Sequence, residues 1–118
     1  MLLDIYAGVD GTTVRIQLSD TSERDQLARN LNSLANRVIH ELNLQNEGVH
    51  QSAIRIRLAV VAVRAQERLT ISDGSNVSWL RTLEGWREAA ELVQTLEVGT
   101  SQLLSQHSTD SAVIELCL

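Results

Sequence analysis

Arg55 and Arg57 stand two apart in the run "IRIRLAV". In a strand both guanidinium groups project from one face, and Arg15 could join them from a neighbouring strand. Guanidinium groups form forked bonds to oxyanions, so the sharper reading is an anion or carboxylate site. The plainer one is a solvated sheet face with cross-strand pairs to Asp or Glu. His107 stands three residues before Asp110 in "HSTD". It could pair with that carboxylate, or share a metal with it and His50. Two separated histidines and one carboxylate are far less specific than clustered Cys/His spacing, so no metal is expected. Arg55, Arg57, His107 and Asp110 thus define one candidate, a polar pocket beside the sheet of a small enzyme or ligand-binding domain. His40 reads as a solvated side chain on the polar side of a helix, and Asp10, Asp73 and Asp110 sit in turn-like contexts.

The common catalytic signatures are missing. There is no Gly-rich phosphate loop, no Gly-x-Ser-x-Gly elbow and no His-Glu-x-x-His helix, and the six glycines are scattered across turns. A catalytic role and a resident cofactor are therefore not expected. The single cysteine, Cys117, lies in an apolar C-terminal run and reads as a small buried hydrophobe rather than a reactive thiol.

A second candidate surface comes from "VSWLRTLEGW", which holds both tryptophans of a chain with one tyrosine and no phenylalanine. Trp86 falls in the middle of a helical apolar stripe and reads as core. Trp79 alternates with Val77 and Arg81, so it either sits at the edge of the core or forms an exposed anchor of the kind that dominates protein interfaces. Glu84, Glu88 and Glu91 stack at i, i+4 and i+7 with Arg87 nearby. They form either a solvated acidic face or the complement of a basic partner.

Charge supports the second option. The net value is −5, every basic residue is arginine, and residues 82–118 hold six acids against Arg87 alone. Nucleic-acid binding relies on a basic footprint, which the chain lacks overall. No window approaches the roughly 20 apolar residues that span a bilayer, and the N-terminus has no secretory layout. With one cysteine, this points to the cytoplasm. At 118 residues, 43% hydrophobic and 21% charged, one globular domain over 1–118 is expected.

The elements that must position these residues read as α+β. A hairpin with arms 2–8 and 12–18 turns at Asp10-Gly11. Asp20 caps a helix whose stripe of Leu27, Leu31, Leu34, Val38 and Leu42 carries it to about Leu44. Residues 53–64 could be strand or helix, and their β-branched content favours strand. Further strands follow at 68–72 and 76–81. Thr82 caps a second helix, which Gly99 closes at the C′ position. The tail forms a last hairpin turning at "HSTDS". "DGTTVRIQL" and "DGSNVSWLR" echo each other as turn, strand, helix, which suggests two β-β-α-β halves in one mostly antiparallel sheet, with two amphipathic helices on one face.

The function that fits best at this level is a small acidic protein-binding module. It would dock on a basic protein partner through Trp79, Glu84, Glu88 and Glu91, as immunity-type proteins and inhibitors do by charge and size. The ligand-binding or enzymatic domain is the alternative. A self-associating unit, pairing sheet edges or Trp79 across a homodimer axis, is the third.

Overall fold

The first two expected arms are strands β1 (Leu2–Gly8) and β2 (Gly11–Gln17), antiparallel with Ile5 opposite Val14, and Asp10, expected in the turn between them, lies outside the described residues. A computed structural model of the chain describes residues 1–8, 11–45, 54–105 and 112–118. Asp20 opens α1 (Thr21–Ala35) by accepting the Glu23 N–H at 2.8 Å, and the Glu23 carboxylate reaches back to the Ser19 N–H at 3.0 Å. The first bond satisfies one of the donors that the first helical turn leaves without partners, and the second holds the residue that leads into the cap.

α1 is nine residues shorter than its apolar spacing suggests. It ends in a Schellman motif: the Val38 N–H bonds the Ser33 carbonyl at 2.9 Å and the Arg37 N–H the Leu34 carbonyl at 3.2 Å. Arg37 takes the left-handed conformation there, with φ of 60°. Leu42 and Leu44 belong instead to β3 (Glu41–Gln45), which pairs antiparallel with β4 (Arg55–Val60). The i, i+4 step from Val38 to Leu42 imitates a helix. The i, i+2 step from Leu42 to Leu44 is the one the tertiary pairing uses, and Val38 is left exposed.

A 3-10 turn at Arg64–Gln66 leads into β5 (Arg68–Ser72), then β6 (Asn76–Arg81) and α2 (Leu83–Gln94). Thr82 caps α2 by accepting the Gly85 N–H at 3.1 Å. Gly99 does not close α2, whose C-cap is Thr95. With φ of 82° it sits in a turn whose Thr100 N–H meets the Glu97 carbonyl at 3.1 Å, the geometry a type II turn asks of glycine. The tail supplies β7 (Ser101–Ser105) and β8 (Ala112–Cys117). The turn joining them lies outside the described residues.

The fold is α+β with mostly antiparallel strands, divided between two four-stranded sheets rather than gathered into one. One sheet runs β1-β2-β8-β7 and the other β3-β4-β6-β5, and the pairs β2–β8 and β4–β6 are parallel. Each half of the chain is β-β-α-β-β, because β3 is a strand the longer helix would have absorbed. Exchanging β1–β4 for β5–β8 carries one sheet order onto the other, so each sheet joins the first hairpin of one half to the second hairpin of the other. Side chains follow. The row Ile5–Val14–Ile114 is matched by Ile71–Val77–Ile56, and Leu3–Ile16–Leu116 by Leu69–Trp79–Leu58.

These rows and the buried faces of both helices form one core, with Leu27, Leu31 and Leu34 from α1 and Trp86, Ala89 and Val93 from α2. Trp79 and Trp86 are 1% and 0% exposed and meet edge to face, ring centroids 4.8 Å apart at 69°. Burying an indole is worth at most roughly 4–6 kcal/mol by area. Trp86 also donates Nε1–H to the Ala59 carbonyl at 3.0 Å, which pins α2 to β4.

Arg37 carries a left-handed backbone that glycine adopts without steric cost. Replacing Arg37→Gly is expected to raise stability by about 0.5–1 kcal/mol and the Tm by about 2–5 °C, read by thermal and urea unfolding.

Candidate ligand-binding cleft

The site is built around a buried carboxylate. Glu67 lies between the 3-10 turn and β5, with its side chain 2% exposed. Its Oε2 accepts from the Thr82 N–H at 3.0 Å and the Thr82 hydroxyl at 2.9 Å, and Arg64 approaches its Oε1 at 3.5 Å. Burial acts to raise the carboxyl pKa. The two bonds from Thr82 and the charges of Arg81 and Arg64 outweigh it and hold the group below the ordinary range. Arg81 is itself buried, bonded to Glu88 at 3.4 Å, and its Nε has no partner among the described residues. Gly85 completes the packing. A Cβ there would stand 2.6 Å from Glu67 Oε2 and 2.8 Å from Arg81 Nε, so no other residue fits without displacing both.

Beside this cluster opens a cleft of about 570 Å³. Three segments line it: Arg37, Ile39 and His40 after α1; Val60, Val61, Ala62 and Arg64 at the end of β4 and in the connector; and Thr82, Leu83 and Glu84 at the start of α2. Ile39, Val60, Val61, Ala62 and Leu83 give it apolar surface. Arg37, His40 and Arg64 supply donors and Glu84 one carboxylate. Arg37 is exposed and has no ion pair among the described residues. Apolar walls with a few converging polar groups are the usual composition of a small-molecule site.

The residues read from sequence as a docking surface are redistributed. Trp79 is core, not an exposed anchor, because its face of β6 packs against Trp86. Glu84 and Glu88 project from α2 as expected but meet the chain's own cations. Arg64 lies 3.6 Å from Glu84 and 3.3 Å from Glu88, and Arg81 shares Glu88. Glu91 is exposed and without an ion pair among the described residues.

Of the pocket read from sequence, Arg55 and Arg57 share one exposed face of β4 as expected, while His107 and Asp110, like His50 and Asp10, lie outside the described residues. Arg15 does not join them. It sits on the other sheet, where it bonds Asp4 at 2.8 Å and lies 5.1 Å over the Tyr6 ring. On that face Tyr6 donates to Glu115 at 3.2 Å, and the Cys117 thiol lies 3.1 Å from the same carboxylate. Burial first, then Glu115, pushes the Cys117 pKa up to about 11. The thiolate that nucleophilic chemistry needs is therefore disfavoured at neutral pH. Among the described residues no group of His, Cys, Asp and Glu could hold a metal ion, and no helix is long and apolar enough to cross a membrane.

Sequence reading passed over Glu67, Arg37 and Arg64 and placed His40 on a solvated helix face. No local pattern marks Glu67, since acids border β5 at both ends, Glu67 before it and Asp73 after it. Arg37 and His40 depend on where α1 ends, and Arg64 on the packing of the connector against α2. No family model, curated protein or solved structure matches the chain.

Removing the charge with Glu67→Gln is expected to cost about 1–3 kcal/mol near neutral pH. Because the folded-state pKa is depressed, the wild-type advantage is present in full above the ordinary glutamate value of about 4.3. It shrinks as pH falls below that value and through the folded pKa. Urea unfolding of both proteins from about pH 2.5 to about pH 7, on both sides of that value, checks it. Gly85→Ala is expected to lose about 1–3 kcal/mol through overpacking, read in the same unfolding assay.

Proposed function

We propose that the protein is a ligand-binding domain whose cleft takes a small amphipathic anion, an apolar body bearing a carboxylate. The observation that carries this reading is Arg37, an exposed guanidinium with no ion pair among the described residues, in the lining of a cleft that Ile39, Val60, Val61 and Leu83 also line. In that setting a charge-assisted, forked bond fixes orientation, and Ile39, Val60, Val61 and Leu83 reward apolar contact. His40 and Arg64 are the neighbouring donors. Arg64 is already shared with Glu84 and Glu88, which leaves Arg37 as the primary anchor. This is the ligand-binding alternative of the sequence reading, built on different residues.

Docking on a basic protein partner ranks second. Glu91 on α2 favours it, since its charge is not matched by an arginine among the described residues. Against it stand the burial of Trp79 and the internal partners of Glu84 and Glu88, which remove the aromatic anchor and most of the vacant charge.

Benzoate and hexanoate, compared with benzamide and hexanol, test the cleft by amide chemical-shift mapping. The acids are expected to give saturable shifts at residues 37–40, 60–64 and 82–84, and the neutral analogues to bind about tenfold more weakly. Arg37→Gly should remove that difference without loss of fold. Equal binding of acids and neutral analogues, or shifts away from the cleft, would overturn the reading.

A further inference from the structure

The outer face of the β3-β4-β6-β5 sheet carries three arginines, of which only Arg57 has an acidic partner among the described residues. Arg57 bonds Glu41 through Nε, and its terminal nitrogens have no partner among the described residues. Neither Arg55 nor Arg68 has an ion pair among them. Cross-strand rows set Asn43 beside Arg57 and Ser78, and Arg55 beside Asn76 and Ser72. Between these rows lies a groove of about 320 Å³ lined by Asn43, Arg55, Arg57, Ser72, Asn76 and Ser78, with Val77 the one apolar contributor. It shares no lining residue with the cleft.

The other half of the molecule supplies an internal comparison. When the halves are exchanged, Arg55 and Arg57 correspond to Val113 and Glu115. On that sheet Arg15 is paired with Asp4, and Glu115 accepts from the Tyr6 hydroxyl. The inward rows of the two sheets match while their outward faces differ, so packing does not account for a pair of arginines at these positions.

We propose that this groove binds a small phosphomonoester with a hydroxylated body, of the sugar-phosphate class. Two guanidinium groups two residues apart on one strand, with Cα atoms about 7 Å apart, can clamp one phosphoryl group from two sides through forked bonds. Asn43, Ser72, Asn76 and Ser78 offer both donors and acceptors, which suits hydroxyl groups. The groove lies at the small end of ligand-pocket volumes, about 300–1,000 Å³, which favours a compact ligand. A single-stranded nucleic acid would need exposed aromatic rings for stacking. The chain's three aromatic residues are Tyr6, on the other sheet, and the two buried tryptophans.

Amide chemical-shift titration with glucose 6-phosphate, glucose, inorganic phosphate and an oligothymidylate decides the matter. Glucose 6-phosphate is expected to give saturable shifts at Arg55, Arg57, Asn76 and Ser78. Inorganic phosphate should bind the same place more weakly, and glucose should leave it unshifted. Arg55→Gln with Arg57→Gln should weaken glucose 6-phosphate binding about tenfold or more, whereas Arg68→Gln, outside the groove, should retain it. Both arginines of the double variant are exposed, so the fold is expected to survive. The proposal is overturned by absent shifts with both phosphate probes, by equal affinity for inorganic phosphate and glucose 6-phosphate, or by shifts in the cleft. Equal loss in Arg68→Gln would point to general charge, and tighter binding of the oligothymidylate to a polynucleotide. Either result also overturns it.

Discussion

A carboxylate out of water has to be held by donors, and Glu67 is held by the first residue of the helix cap. Leaving such a group unpaired would cost several kcal/mol. The Thr82 N–H and hydroxyl both point at it, and Arg64 and Arg81 supply the countercharge. The same Thr82 oxygen accepts the Gly85 N–H, so one side chain links the connector, the end of β6 and the first turn of α2. Gly85 is then the residue type that fits, because Glu67 and Arg81 fill the space a side chain would need. The path of the connector Val61–Glu67 is fixed by these contacts, and with it one wall of the cleft.

The cleft lies where the two halves are joined. Elsewhere the β-β-α-β-β units are related by exchange of hairpins, and corresponding rows of the two sheets carry the same apolar residues or, at Ile16 and Trp79, a larger one in place of a smaller. Trp79 meets Trp86 across the interior, and Trp86 bonds the carbonyl of Ala59 on the strand next to Trp79's own. Both tryptophans are thus spent on core packing at the junction of β4, β6 and α2, which explains why they occur within eight residues.

Outward faces are where the halves differ. One sheet pairs Arg15 with Asp4 and gives Glu115 the Tyr6 hydroxyl, while the other leaves Arg55 and Arg68 without acidic partners among the described residues. The acidic stripe on α2 is partly of the first kind, since Arg64 and Arg81 reach Glu84 and Glu88. Exposed pairs of this sort contribute little to stability, about 0–1 kcal/mol. They do lower the charge a partner would meet.

Much of the backbone was legible in the amino-acid order. The Asp73-Gly74 turn, alternation in β1, β2 and β6, the Asp20 and Thr82 caps and the helical stripe of α2 are local signals, each set by steric or hydrogen-bonding preferences within a few residues. The α+β class followed from them. What local signals could not determine was the end of α1, because Leu42 satisfies a helical and a strand spacing alike. Only pairing with β4 settles which spacing is used. Nor could they determine which charges meet. Glu67 and Thr82, 15 residues apart, and Arg64 and Glu88, 24 apart, come together through the packing of α2 on the sheet. The division of strands into two sheets, the burial of Trp79 and the cleft at the connector are likewise long-range outcomes. They depend on parallel pairing between distant hairpins, for which no short stretch of sequence carries a signal.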